Sequence, residues 1–134
     1  MSSKTFVDTS FVIALINRRD RYHQQARELA DRFDGYPLLS TDAILLEIGN
    51  ALARNYKDKA TEIIEHFLSS QQVEIVRLTP QLFDKGFALY KSYQDQSWGL
   101  VDCISFVVMR EANITQALTC DRHFRQAGFQ TLIS

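Results

Sequence analysis

Four acidic residues, Asp8, Glu47, Asp102 and Asp121, lie within or directly after predominantly apolar stretches of the sequence. Asp8 and Asp121 each follow a predicted buried strand, and Glu47 and Asp102 fall in the first or second turn of predicted helices. An ionised carboxylate in apolar surroundings is costly unless a cation or hydrogen-bond donor meets it. Carboxylates that share one crevice also repel each other, which raises their pKa values further unless a cation compensates.

The residues around these acids indicate which cation would suit them. No cysteine or histidine lies at the spacing of a zinc site. An all-carboxylate site favours a hard, oxygen-preferring divalent ion such as Mg²⁺ or Mn²⁺. Such an ion activates water and neutralises the charge of a phosphodiester. The four acids therefore predict metal-assisted hydrolysis of a phosphate ester.

Each acid also has a simpler explanation when it is considered alone. Asp121 can cap a helix, and Asp102 can complement the dipole of a helix from its first turn. Glu47 can pair with Arg54 or reach water. Asp8 is the hardest to explain in this way, because it lies between an apolar strand and two hydroxyl residues. The combination of the four favours a common site.

The elements that must position these acids alternate between short apolar strands and amphipathic helices. The predicted order is β-α-α-β-α-α-β-α-α-β-α-β, which is typical of a doubly wound α/β fold with a mainly parallel sheet of about five strands flanked by helices. In such sheets, ligands bind beyond the carboxyl ends of the strands, near the point where the strand order reverses. The predicted strands lie at residues 6–7, 38–39, 73–78, 117–119 and 129–133.

Composition limits the function classes that fit the chain. Its 134 residues, 46% hydrophobic and 23% charged, are sufficient for one globular domain, expected at 1–134. The net charge of −1 argues against nucleic-acid binding by broad phosphate neutralisation, so a local basic patch or a metal would have to attract such a partner. We find no signal peptide and no apolar run of membrane-spanning length, and we expect a cytoplasmic protein without a membrane partner.

Four segments together resemble one known family. They are F-V-D-T-S-F-V-I-A-L-I at 6–16, S-T-D-A-I-L-L-E-I-G-N-A-L at 40–52, W-G-L-V-D-C-I-S-F at 98–106 and A-L-T-C-D-R-H-F at 117–124. Their order and spacing across nearly the whole chain resemble PIN-domain ribonucleases. The greatest similarity is to the small VapC-type proteins, which are the toxins of toxin–antitoxin pairs.

The resemblance implies a role for each matching position. The four acids match the quartet that holds Mg²⁺ or Mn²⁺ and is catalytic in that family. Thr9, Ser10 and Thr119 match hydroxyl positions that orient the carboxylates or the phosphate. The implied reaction is endonucleolytic cleavage of single-stranded RNA by metal-activated water, leaving a 5′-phosphate and a 3′-hydroxyl. Asn50 and Ser105, one helical turn beyond two of the acids, are expected to add supporting hydrogen bonds.

The resemblance also implies partners. VapC-type toxins commonly form homodimers and bind a small antitoxin, so we expect both of this chain. RNA contact is expected from five arginines, namely Arg18, Arg19, Arg21, Arg122 and Arg125. The main alternative keeps the fold and lacks turnover: a non-catalytic PIN module that binds RNA or a partner protein. Two other enzyme classes fit poorly, because a haloacid-dehalogenase-type phosphatase needs D-x-D after the first strand and a phospho-receiver domain needs paired acids there.

The remaining polar residues near the motifs are expected to be structural. Asp42 is interpreted as an acid that complements the dipole of the helix bearing Glu47. Cys103 and Cys120 are interpreted as small apolar fillers. None of the three histidines is expected to take part in catalysis, because they share no spacing.

Overall fold

In the computed structural model, which describes residues 3–133, five short strands form one sheet. They are β1 (Thr5–Val7), β2 (Leu38–Thr41), β3 (Val73–Val76), β4 (Gln116–Leu118) and β5 (Gln130–Thr131). Their order is β3-β2-β1-β4-β5, and all four pairings are parallel. This confirms the prediction of a doubly wound sheet of about five strands. The last strand is shorter than predicted because it pairs only with the three-residue β4.

Helices connect the strands in the predicted sequence. They are α1 (Thr9–Ile16), α2 (His23–Arg32), α3 (Asp42–Leu52), α4 (Lys57–Ser69), α5 (Pro80–Ser92), α6 (Leu100–Glu111) and α7 (Arg122–Gln126). Because crossovers between parallel strands are right-handed, the strand order places α1 to α4 on one face of the sheet and α5 to α7 on the other. Within residues 3–133, no helix is both long enough and apolar enough to cross a membrane.

Three buried phenylalanines connect the elements that carry acids. The rings of Phe106 on α6 and Phe124 on α7 meet edge to face, with centroids 5.0 Å apart. Phe6 on β1 packs 6.0 Å from Phe124, and all three side chains are fully buried. Such aromatic contacts add to the free energy gained by burial. They also fix the ends of β1, α6 and α7 relative to one another.

A glycine allows α5 and α6 to approach closely. A Cβ atom on Gly86 of α5 would lie 2.6 Å from Cγ1 of Ile104 on α6 and 3.3 Å from the Ile104 Cα. Interiors packed this tightly leave no room for a further methyl group. Because Ile104 lies two residues after Asp102, this contact also sets the position of the first turn of α6.

Candidate active site

The four predicted acids line one open cleft at the carboxyl edge of the sheet. The strand order reverses between β1 and β4, which are neighbours in the sheet. Asp8 follows β1, Asp121 caps the N-terminus of α7 after β4, and Glu47 and Asp102 reach the cleft from α3 and α6. The cleft has a volume of about 650 Å³. Residues far apart in sequence are therefore brought together at the expected ligand-binding edge.

Asp8 is the most buried of these acids. Its Oδ2 accepts hydrogen bonds from Ser10 Oγ at 2.8 Å and from Thr119 Oγ1 at 2.7 Å. Burial raises the pKa of Asp8 from 3.8 to about 6, against the lowering effect of the Thr119 and Ser10 hydrogen bonds. The negative charges of Asp102 and Asp121 raise this pKa further. Without a cation, this carboxylate is only partly ionised near pH 6.

The two hydroxyls that hold Asp8 also connect β1 to β4. Ser10 Oγ accepts the backbone N–H of Cys120 at 2.9 Å, and Thr119 Oγ1 accepts that of Asp121 at 3.0 Å. The hydroxyl oxygens lie 3.0 Å from each other. Each hydroxyl therefore donates to Asp8 and accepts from the backbone beyond β4, which satisfies the buried polar groups on both sides. The arrangement fixes the Asp8 carboxylate against the loop that carries Asp121.

Glu47 is held by the first residue of α1. Thr9 Oγ1 donates a hydrogen bond of 2.5 Å to Glu47 Oε1, which bridges α1 and α3. Partial burial raises the pKa of Glu47, the Thr9 hydrogen bond lowers it, and the charges of Asp102 and Asp121 raise it. Thr9, the residue directly after Asp8, thus orients Glu47 on α3 rather than Asp8 itself.

Asp102 is held by two donors, one of which is a histidine. Its Oδ2 accepts the backbone N–H of Gly99 at 3.2 Å and Nδ1 of His123 at 2.8 Å. The same Nδ1 lies 3.4 Å from Oδ1 of Asp121. Burial raises the pKa of Asp102, the His123 hydrogen bond lowers it, and the charge of Asp121 raises it. His123 thus bridges two of the acids.

We expected none of the histidines to take part in catalysis, and that remains a prediction, but the structure places His123 in contact with two of the acids. Asp121 caps α7 and accepts the backbone N–H of His123 at 2.9 Å, which keeps the imidazole next to the cap. In the sequence, the one indication of this placement is that His123 follows Asp121 by two residues. His123 also contacts Asp102, which is 21 residues away in the chain. This contact depends on how α6 packs on α7, so the spacing of the residues in the sequence could not predict it.

In the part of the chain that the structure describes, each of the four acids has one carboxylate oxygen that is hydrogen bonded and one that is not. Within residues 3–133 the bonded atoms are Asp8 Oδ2, Glu47 Oε1, Asp102 Oδ2 and Asp121 Oδ1. Each acid therefore keeps a free oxygen while its orientation is fixed. Free oxygens on mutually repelling carboxylates form the type of donor set that a hard divalent ion takes, so the residues fit Mg²⁺ or Mn²⁺.

The acids are not equally close to one another. Ligand atoms of Asp102, Asp121 and His123 all lie within 4.8 Å of one another. In the part of the chain that the structure describes, Asp8 and Glu47 line the same cleft but do not belong to this tight group. The four carboxylates thus share a cleft, and Asp102 and Asp121 lie close together beside His123.

The two predicted supporting residues differ in their placement. Asn50 lies on the wall of the cleft that the acids line, and it is exposed. Ser105 is fully buried, and among the described residues its Oγ has no hydrogen-bond partner. It gives no support to Asp102, because this part of α6 faces the core.

The five arginines expected to contact RNA are all exposed, and none of them is among the described residues that line the cleft. Arg125 donates to Thr131 Oγ1 at 3.3 Å, and the guanidinium of Arg21 lies 4.9 Å from the ring centre of Tyr22. Their contact with RNA remains a prediction.

The surroundings of Asp42, Cys103 and Cys120 agree with the structural roles expected for them. Asp42 accepts the backbone N–H of Leu78 at 2.9 Å, and it lies in the first turn of α3 as expected. Burial raises the pKa of both Cys103 and Cys120 to about 11, so both thiols stay protonated at neutral pH. Neither cysteine is paired in a disulfide.

Comparison with known proteins identifies one family. The sequence model of the PIN-domain family matches residues 5–130 of this chain. The chain is 29% identical over 126 residues to the 23S rRNA-specific endonuclease VapC20 of Mycobacterium tuberculosis, covering 92% of this chain and 94% of that protein. The crystal structure of VapC20, described as a sarcin-ricin loop cleaving toxin, superposes with a TM-score of 0.85 at 28% identity and covers 94% of this chain and 96% of that one.

A more distant structure shares the fold alone. VapBC2 from Rickettsia felis, solved with a DNA fragment from its promoter, superposes with a TM-score of 0.64 at 14% identity, covering 95% of this chain and 96% of that one.

Proposed function

This chain belongs to the PIN-domain family, and on that premise we propose that it is a metal-dependent endoribonuclease that cleaves single-stranded RNA. The observation that carries the proposal is the set of four oriented carboxylates, each with a free oxygen, in one cleft at the switch point of the sheet. The name of the relative VapC20, a 23S rRNA-specific endonuclease, supports RNA as the class of substrate.

Asp8, Glu47, Asp102 and Asp121 are the residues proposed to hold Mg²⁺ or Mn²⁺ and to be catalytic. When bound, the ion supplies activation of water and neutralisation of the phosphodiester charge. The repulsion among the acids, together with the raised pKa values of Asp8, Glu47 and Asp102, supports a cation at this position. That the ion is Mg²⁺ or Mn²⁺ is part of this proposal.

The residues around the acids orient them in advance. Ser10 and Thr119 hold Asp8, Thr9 holds Glu47, and His123 holds Asp102. Because each contact uses only one oxygen of its carboxylate, the other oxygen keeps a fixed direction. Fixed ligands and donors lower the reorganisation that the reaction requires. Asn50, on the cleft wall, is proposed to contact the carboxylates or the RNA.

The exposed arginines complete the substrate site in this proposal. The chain carries a net charge of −1, so attraction of RNA needs locally concentrated positive charge. Such charge is available in the α1–α2 connection and on α7. The arginines proposed for this role are Arg18, Arg19, Arg21, Arg122 and Arg125.

The cellular role follows from the VapC-type resemblance, and the description of VapC20 as a toxin supports it. We propose that the chain is the toxin of a type II toxin–antitoxin system. It is proposed to be a single domain over residues 1–134, to form a homodimer, to bind a small antitoxin protein and to act in the cytoplasm.

The test is cleavage of a labelled single-stranded RNA by purified protein with Mn²⁺, with Mg²⁺ and with EDTA. We expect cleavage with either ion, none with EDTA, and a loss of at least a hundredfold in Asp8→Asn. Asp42→Asn is the matched control, because Asp42 bonds the backbone outside the cleft. No cleavage by the wild type, or equal cleavage by Asp8→Asn, would contradict the proposal; RNA binding without cleavage would favour the non-catalytic alternative.

A further inference from the structure

A second depression adjoins the acidic cleft, and we call it the loop groove. It has a volume of about 560 Å³ and is formed by the end of α5 and the loop that leads into α6. Tyr93, Gln94, Gln96 and Ser97 contribute to its lining, and Gly99 lines both this groove and the acidic cleft. A polymer bound across the acids would therefore continue into the loop groove.

Tyr93 forms an aromatic platform within this groove. Tyr93 is 43% exposed, yet the centre of its ring lies 5.0 Å from that of Trp98, with 36° between the ring planes. Trp98 is itself buried and fixed: its Nε1–H donates to Gln126 Oε1 at 3.1 Å, and its ring lies 5.1 Å from Phe106 in an edge-on contact. An exposed aromatic ring supported in this way is pre-organised to stack a planar ligand.

The polar side chains that line the groove are of types that proteins use to bind nucleotides. The amides of Gln94 and Gln96 offer donors and acceptors for base edges. Lys91 also lines the groove and offers a positive charge for a phosphate, with its ammonium 4.7 Å from the centre of the Phe87 ring. Ser97 lies 3.2 Å from Nε2 of His123, whose Nδ1 donates to Asp102. Two side-chain contacts thus connect the groove wall to a catalytic carboxylate.

We propose that the loop groove binds one nucleotide of single-stranded RNA next to the scissile phosphate, with its base stacked on Tyr93. The inference rests on the proposed function, because the RNA is the substrate of that site. The continuity with the acidic cleft at Gly99 and the aromatic, amide and ammonium groups favour a nucleotide over an apolar protein segment. A partner protein at this position is an outcome that the test distinguishes.

The test measures RNA binding apart from cleavage. A labelled single-stranded oligoribonucleotide is titrated with protein in EDTA, and binding is followed by fluorescence anisotropy. Base–aromatic stacking makes a loss of about tenfold in affinity the expected result for Tyr93→Ala. Tyr93→Phe keeps the ring and should remain within about twofold of the wild type. Trp98 is the only tryptophan of the chain, so its emission should change on RNA binding.

Tyr36→Ala is the matched control. Tyr36 is 56% exposed and packs 5.4 Å from Phe33, but it lies before β2, at the opposite edge of the sheet. Its loss should leave RNA affinity unchanged. A thermal melt of each variant checks folding. If Tyr93→Ala does not fold, Tyr93→Leu, which keeps bulk without a π face, replaces it.

The outcomes separate this inference from the proposed function. If the protein cleaves RNA but the variant without the Tyr93 ring binds it like the wild type, the loop groove is not a nucleotide site and the endonuclease proposal stands. If binding depends on the Tyr93 ring but no cleavage occurs with a divalent ion, the groove stands and the endonuclease proposal fails. A substitution that weakens binding of an antitoxin protein and not of RNA would overturn the inference.

Discussion

Thr119 Oγ1 donates a hydrogen bond of 2.7 Å to Asp8 Oδ2, although the two residues are 111 positions apart in the chain. The same oxygen accepts the backbone N–H of Asp121 at 3.0 Å. One fully buried hydroxyl therefore fixes the carboxylate after β1 and the backbone of the acid after β4. The geometry of half of the acid quartet depends on this side chain.

Replacement of Thr119 by valine should test that dependence, because the two side chains have the same shape. Thr119→Val removes the donor to Asp8 and the acceptor for Asp121, and a lost hydrogen bond to a charged group costs about 2 kcal/mol of unfolding free energy. We expect that loss in urea denaturation at pH 7, with at least a tenfold decrease in RNA cleavage. Thr119→Ser keeps the hydroxyl and should retain most of both. Equal effects of the two substitutions would show that the hydrogen bonds are unimportant.

The buried carboxylate of Asp8 should make the stability of the metal-free protein depend on pH. Its pKa is about 6 in the folded protein against an ordinary value of 3.8, so the folded state favours the protonated form. The stabilisation from this group is full below about pH 4 and is lost as the pH rises through about 6. A shift of this size corresponds to about 3 kcal/mol.

Asp8→Asn removes this titration and is therefore the informative variant. In EDTA, its unfolding free energy relative to the wild type should increase by up to about 3 kcal/mol between pH 4 and pH 7. Urea denaturation across that range measures the difference. Asp34→Asn, which changes an exposed aspartate between α2 and β2, controls for the loss of an acidic side chain. A difference between Asp8→Asn and wild type that is constant with pH would contradict the burial argument.

Much of the fold and of the acid cluster could be predicted from the sequence, and the resemblance to VapC-type PIN ribonucleases is confirmed. Asp8 was recognisable because an acid between an apolar strand and two hydroxyl residues has few structural roles, and Asp121 was recognisable because parallel strands end at one edge of a sheet. The contacts of His123, the groove beside Tyr93 and the buried position of Ser105 were not recognisable. They depend on side-chain packing between α5, α6 and α7, for which residue spacing carries no signal.

His123 should contribute to metal binding through the acids that it contacts. Its Nδ1 donates to Asp102 at 2.8 Å and lies 3.4 Å from Asp121, so its loss leaves both carboxylates less fixed. Removal of such a partner of a metal ligand typically lowers metal affinity about 10- to 100-fold. We expect His123→Ala to weaken Mn²⁺ binding within that range in isothermal titration calorimetry.

His66→Ala is the control for this experiment, because His66 lies on α4 and packs against Phe67, on the other face of the sheet. Its Mn²⁺ affinity should equal that of the wild type. Tighter Mn²⁺ binding by His123→Ala would mean that the imidazole competes with the ion rather than orienting its ligands.

The contact of Gly86 with Ile104 predicts that a single methyl group can disturb the site from the opposite side of α6. In Gly86→Ala, the new Cβ would meet Ile104 Cγ1 at 2.6 Å and its Cα at 3.3 Å, so α5 and α6 must separate. Overpacking of this kind costs about 1–3 kcal/mol. Because Asp102 lies two residues before Ile104, cleavage should fall beyond the loss of folded protein.

Gly49→Ala is the control: its new Cβ, also within a helix, meets only Ile64 Cδ1 at 3.9 Å. It should be neutral or stabilising, by up to about 1 kcal/mol from helix propensity. Urea denaturation and cleavage of both variants provide the comparison, and equal stability would show that the helices accommodate the methyl group without strain.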